Sequence, residues 1–199
     1  AAGKTAYLLD TGTPGVRVEV TADEQQALNL GQILADSGRI GMVGSIVKHG
    51  GRLSASSVTS EGGRVFLKAT QDTYVEGAGR IDATGSQGGE VHVLGNRVAL
   101  TDQASIDASG TQGGGTILVG GDYQGKNTDV QNATTSNLGK DVLLKADATE
   151  QGKGGKIVVW ADENARVAGT ISAKGGAHGG DGGFVETSGK HKIDFSGVR

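Results

Sequence analysis

The sequence predicts an all-β solenoid, a parallel β-helix with about three short strands per coil and six to seven coils. Three observations carry this expectation. A short alternating strand recurs as Arg39-Ile40-Gly41-Met42, Arg64-Val65-Phe66-Leu67, Glu90-Val91-His92-Val93, Thr116-Ile117-Leu118-Val119, Lys156-Ile157-Val158-Val159 and Phe184-Val185-Glu186-Thr187, at offsets of 25, 26, 26, 40 and 28 residues. An aliphatic-x-Ala triplet keeps the same phase at Ile33 to Ala35, Leu53 to Ala55, Ile81 to Ala83, Ile106 to Ala108, Leu144 to Ala146 and Ile171 to Ala173. Glycine, 37 of 199 residues against a single proline, falls between these runs as turn punctuation. Two markers in one phase define a repeat, and residues 88 to 119 hold one complete copy and the start of the next. The unit is too short and too strand-rich for ankyrin or tetratricopeptide repeats.

Composition removes several classes of function. A net charge of -3 and a pI of 5.8 give no electrostatic reason to bind nucleic acid or to insert at an anionic membrane. The absence of cysteine excludes disulfides and thiolate metal sites. No stretch approaches the roughly 20 apolar residues of a membrane span. Neither Ala1-Ala2-Gly3-Lys4 nor Gly197-Val198-Arg199 has the pattern of a signal peptide or anchor, and both ends read as cut from something longer.

Residues 1–38 are expected to form one or more irregular first coils. The runs Tyr7-Leu8-Leu9 and Val16 to Val20 suit strands on either side of a TGTPG turn. Thr21 followed by Glu24 has capping-box spacing, which predicts one or two helical turns over 22–28. Residues 39–199 are expected to form regular repeats. A further strand lies between the two markers, at Ile46-Val47, Tyr74-Val75, Val98-Ala99-Leu100, Val142-Leu143 or Arg166-Val167. Strand copies stack about 4.8 Å apart, so inward residues form apolar columns. The first is Ile40, Val65, Val91, Ile117, Ile157 and Val185, and the second is Met42, Leu67, Val93, Val119, Val159 and Thr187. One repeat of 40 residues carries an insertion at about 120–141, which should leave the coil at a corner as a loop on one face.

Three groups of residues are candidates for function. The outward column Gly41, Phe66, His92, Leu118, Val158, Glu186 is more apolar than a solvated face needs, so Phe66, His92, Leu118 and Val158 are read as a covered or interaction face. The cover is either the insertion or a neighbouring molecule. The insertion itself offers Asp122, Tyr123, Gln124, Lys126 and Asn127. The column Ser54, Asp82, Asp107, Lys145, Ser172 is expected to be solvated charge, because a cation between Asp82 and Asp107 would need six to eight oxygen ligands. His49, His92, His178 and His191 lack metal spacing and are expected to be solvated for the most part. Trp160 is read as a packing aromatic at a strand end. No catalytic residue, cofactor or metal site is expected. Asn127-Thr128-Asp129 and His49-Gly50 match pieces of pectin-hydrolase motifs only in reversed order, and the glycine run 175–183 misses the register of a calcium-binding nonapeptide.

The strings GGEVHVLGNRVALTDQASIDASGTQGGGTILVGGDYQGK and GKGGKIVVWADENARVAGTISAKGGAHGGDGGFVETSGK resemble the β-helical exoproteins of bacterial two-partner secretion, the filamentous-haemagglutinin-like adhesins, over about residues 28 to 197. The resemblance implies a right-handed β-helix, an internal segment without the family's N-terminal secretion domain, export through an outer-membrane two-partner secretion transporter, and a place outside the bacterium or on its surface. It also implies a stalk or adhesin in cell adhesion and biofilm, with a host-cell, glycan or matrix ligand. A cysteine-free chain whose coils contact only their neighbours suits export, since folding propagates as it emerges. Two other readings stand beside this one: a subunit of a self-associating extracellular filament, and a polysaccharide-acting β-helix enzyme that uses Asp82 and Asp107.

Overall fold

The computed structural model describes residues 5–9, 17–58 and 61–195, with side chains from residue 26 onward. The termini at 1–4 and 197–199 and the TGTPG turn lie outside these residues. Within them the chain is a parallel β-solenoid of about six turns with three walls. One twelve-stranded sheet bends around two walls, and a six-stranded sheet built from the aliphatic-x-Ala triplets closes the third.

The first wall stacks Ile40, Val65, Val91, Ile117, Ile157 and Val185 in register, and two residues on Met42, Leu67, Val93, Val119, Val159 and Thr187. The column from Ile40 to Ile157 is fully buried, and Val185 on the last described coil is 46% exposed. The third wall stacks Ile33, Leu53, Ile81, Ile106, Leu144 and Ile171. Leu53, Ile81, Ile106 and Leu144 meet the first-wall columns in one continuous core. Alternation sends every second side chain inward, which is why a chain of 35% hydrophobic content fills a narrow interior.

Glycine pairs turn the corner between the third and first walls. At Gly89, Gly115, Gly155 and Gly183 an added Cβ would overlap the carbonyl oxygen of the glycine one rung below. Backbones at this corner therefore approach too closely for any side chain.

The coils depart from the expectations in three places, and Asp82, described below, in a fourth. The helical turns expected over 22–28 do not form: Arg17–Asn29 is a strand in parallel register with Arg39–His49. The neighbouring rung offers a row of backbone donors and acceptors that a helix would leave unpaired, and the extra residues are absorbed as a bulge between Ala22 and Gln26. Val142-Leu143 is not a second-wall strand. That rung is Thr135–Leu138, with Leu138 stacked between Leu100 and Val167, so the excursion is shorter than 120–141 and ends near residue 134. The polar Ser136 escapes recognition because its buried hydroxyl donates to the Trp160 carbonyl at 2.6 Å. Finally, His49 is fully buried rather than solvated, in an inward column with Asn29 and Val75.

Candidate functional site

The excursion begins where the first-wall strand Thr116–Val119 ends. Gly120 and Gly121 take φ of 73° and 154°, conformations that L side chains rarely adopt, and lift the chain off the coil. The excursion closes on itself where Ala133 N donates to Gly120 O at 2.7 Å, and Thr134 N donates to Asn96 O at 2.7 Å to restart the second wall. Between these points the only aliphatic residue is Val130, and it packs against Leu118, Val158 and Trp160. The insertion is therefore the cover of the outward apolar column. Leu118, Val158 and Trp160 are 3%, 0% and 7% exposed, which leaves Leu118 and Val158 inaccessible to a neighbouring molecule.

The lower half of the same column is sealed differently. Phe66 and His92 meet edge-to-face with centroids 4.9 Å apart, and Arg39 lies over the Phe66 ring at 4.6 Å. His92 Nε2 lies 2.7 Å from Glu90 Oε1, and Arg64 approaches the same carboxylate at 3.3 Å. The His92 imidazole, with help from Arg64 and Arg39, holds the Glu90 carboxyl below its usual range despite partial burial. Side chains of the coil itself thus cover Phe66 and His92, which remain half-buried.

Asp122 organises the excursion. Its carboxylate accepts from Tyr123 N at 2.7 Å and from Asn127 Nδ2 at 2.8 Å, and it forms an ion pair with Lys156 of the first wall. Burial pushes its carboxyl up, but the Asn127 amide, the Lys156 ammonium and the Tyr123 N–H outweigh this and hold it below the usual value. Trp160 fills the space beneath: Cβ atoms added at Gly121 or Gly125 would meet its ring at 2.7 and 2.6 Å. Its Nε1 donates to Asp162 at 3.0 Å, and Asn132 Nδ2 donates to Gly125 O at 2.9 Å. Of the five loop residues singled out in the sequence, Asp122 and Asn127 are structural, whereas Tyr123, Gln124 and Lys126 are exposed at the tip.

Gln124 sits in the left-handed region at φ 54° and ψ 18°. Its backbone N–H donates to the Glu186 carboxylate at 3.2 Å, and Tyr123 meets Phe184 edge-to-face at 5.5 Å. The sequence places neither Phe184 nor Glu186 beside the loop, because both lie two rungs beyond the strand that the loop leaves. The only available signal is the stacking register, which puts Glu186 in the column of Leu118 and Val158.

The acidic column is not solvated at Asp82, whereas Asp107, Lys145 and Ser172 are partly exposed. Asp82 is 3% exposed and is held by Arg80 Nε at 2.8 Å and Arg52 Nε at 3.2 Å. Arg52 and Arg80 come from adjacent rungs of the same wall, a match that sequence reasoning missed. Two guanidinium groups occupy the carboxylate, leaving it suited neither to a cation nor to proton transfer. Asp107 accepts from Ser109 N at 2.9 Å and closes a local turn.

The fold and this covered face define the class, a parallel β-solenoid with a single strapped wall. The chain is similar to the crystal structure of the HMW1 secretion domain from Haemophilus influenzae, with a TM-score of 0.71 and 31% identity over 88% of this chain. It spans 48% of the length of that chain. No family model matches the sequence, and no curated protein matches it. The likeness is to a secretion domain, the part that the sequence reading places outside this chain.

Proposed function

We propose that the chain is a structural, secretion-related β-solenoid module of a large secreted bacterial surface protein, exported with the help of an outer-membrane transporter and serving as stalk or adhesin outside the cell. The observation that carries this reading is the likeness to a secretion domain at 31% identity across 88% of the chain. Two physical features support it. Inward columns are filled from coil to coil, so the rod is held by nearest-neighbour stacking and can form progressively from one end. The most buried carboxylate of the acidic column is tied to arginines, which suits a scaffold.

The test is export of the polypeptide that contains this chain, in cells with and without an outer-membrane two-partner secretion transporter. Release into the medium that falls to background without the transporter supports the reading, and equal release in both strains rejects it. The adhesive role is tested separately, by attachment of host cells to the exported protein with residues 122–132 intact or replaced by a glycine-serine link.

A further inference from the structure

The excursion carries a feature that covering the wall does not require. Val130 does the covering, yet Tyr123 stands 46% exposed beside it, and Phe184, on the last described first-wall strand, 43%. Their rings meet edge-to-face at 5.5 Å, so each braces the other instead of folding onto the coil. A polar relay runs along the same edge. Lys126 Nζ donates to Gln124 Oε1 at 2.6 Å, and Gln124 Nε2 donates to Tyr123 Oη at 2.9 Å. The Tyr123 hydroxyl accepts in that relay, which leaves its own proton free to donate outward.

The backbone beneath is held in a conformation that glycine would adopt more readily. Gln124 has φ of 54°, and the Glu186 carboxylate on another coil fixes its N–H. A side chain is thus kept at a position where a bare turn would need none, and such departures mark functional positions when the surroundings hold them in place.

We propose that Tyr123, Gln124, Lys126 and Phe184 form a binding surface for a neutral hexopyranose within a glycan. A pyranose presents one face of C–H groups and a rim of hydroxyls. The face of one ring, braced edge-on by the other at 70°, matches the C–H face, and the Tyr123 hydroxyl, the Gln124 amide and the Lys126 ammonium match the rim. An apolar helix or strand would need a wider continuous patch than two rings bordered by Gln, Lys and Glu. One lysine on a chain of net charge -3 does not attract a polyphosphate. The surface would work on any solenoid of this shape, so the proposal does not depend on the export reading, and the two can fail separately.

The experiment uses the purified chain and three probes, cellotetraose, mannotetraose and lacto-N-tetraose, followed by saturation-transfer NMR and calorimetry. The single tryptophan, Trp160, lies directly beneath the loop and reports its integrity through its emission. At least one tetrasaccharide should bind, and Tyr123→Ala should weaken it roughly tenfold with unchanged Trp160 emission. Gln124→Gly is the second variant, because glycine keeps the left-handed backbone and removes only the side chain. It should weaken binding while leaving the loop in place, and it decides the matter if Tyr123→Ala disturbs Trp160. Absence of saturation transfer from all three sugars, or equal binding by wild type and Gln124→Gly, overturns the proposal.

Discussion

Asn29 and His49 lie on adjacent rungs of one inward column, and Asn29 Nδ2 donates to His49 Nδ1 at 3.3 Å while His49 Nε2 donates to the Arg80 carbonyl at 3.1 Å. This pairing requires a neutral imidazole. Protonation would set an N–H against the Asn29 amide, whose oxygen is already committed to Gly31 N at 3.1 Å. Burial pushes the His49 imidazole below its ordinary value of 6.5, partly offset by its partners. A depressed folded value means the unfolded chain binds the proton first as pH falls. The contribution to stability is therefore complete above about pH 6.5 and declines as pH drops toward the folded value. Urea midpoints should fall between pH 7 and pH 5 in the wild type and change less in His49→Gln, which keeps an amide donor for the Arg80 carbonyl. Parallel curves for the two proteins would reject the assignment.

A second acid phase should follow at lower pH. Asp72 is held below its usual 3.8 by bidentate contact with Arg97, with Nε–Oδ1 and Nη2–Oδ2 both at 2.6 Å, and Glu90 and Asp122 are also held low. Their stabilisation is present above the ordinary carboxylate range and lost as pH falls through the lowered values. Arg97→Gln should weaken this phase without altering the one near neutrality, as followed by circular dichroism across pH 2 to 5.

The strap over the first wall gives a spectroscopic prediction. Replacing 122–131 by a short glycine-serine link should expose Leu118, Val158 and Trp160, shift the tryptophan emission to the red and create binding for a hydrophobic dye. Trp160→Ala should cost about 3 to 5 kcal/mol, the usual loss for a buried aromatic, measured by chemical denaturation. An unshifted emission in the loop replacement would mean that Val130 and its neighbours do not shield the ring.

The glycine corner is equally specific. Gly115→Ala places a methyl group against the Gly89 carbonyl and should destabilise by about 3 kcal/mol, because the obstacle is backbone and two rungs must part. Gly77→Ala faces open space but has φ of 62°, so its smaller penalty, about 1 kcal/mol, comes from the backbone alone. Thermal denaturation of the two variants should rank them in this order.

Asp82→Ala should lose about 2 kcal/mol, the scale of hydrogen bonds to a charged group, and leave Arg52 and Arg80 to repel on neighbouring rungs. Asp107→Ala should lose less, because the hydrogen bond that holds it comes from a backbone N–H within its own turn. Equal losses in the two variants would argue against the arginine clamp as the stabilising element.

Several elements were legible before any coordinates. Ile40 to Ile157 could be placed inward, and the triplets from Leu53 to Leu144 in phase with them, because β-strands alternate with a period of two and the coils repeat at near-constant spacing. The position of the excursion was legible too, as one repeat of 40 residues among repeats of 25 to 28. Its contents were not. Thr135–Leu138 lacks the apolar alternation of its neighbours, and the backbone bonds of the rungs on either side, with Leu138 in the core and the Ser136 hydroxyl on the Trp160 carbonyl, draw it into the wall. The same bonds override the capping signal at Thr21 and Glu24.

Repeat phase and the identity of the stacked columns thus follow from local patterning, which each strand carries in its own residues. Partnerships between coils do not, because they depend on which side chains reach across a rung and what the excursion lies upon. The burial of His49 against Asn29, the arginine clamp on Asp82, the strap of Val130 on Leu118 and Val158, and the meeting of Tyr123 with Phe184 are all of that kind. They join residues as many as 61 positions apart, and sequence spacing constrains the rung but not the reach and direction of a side chain.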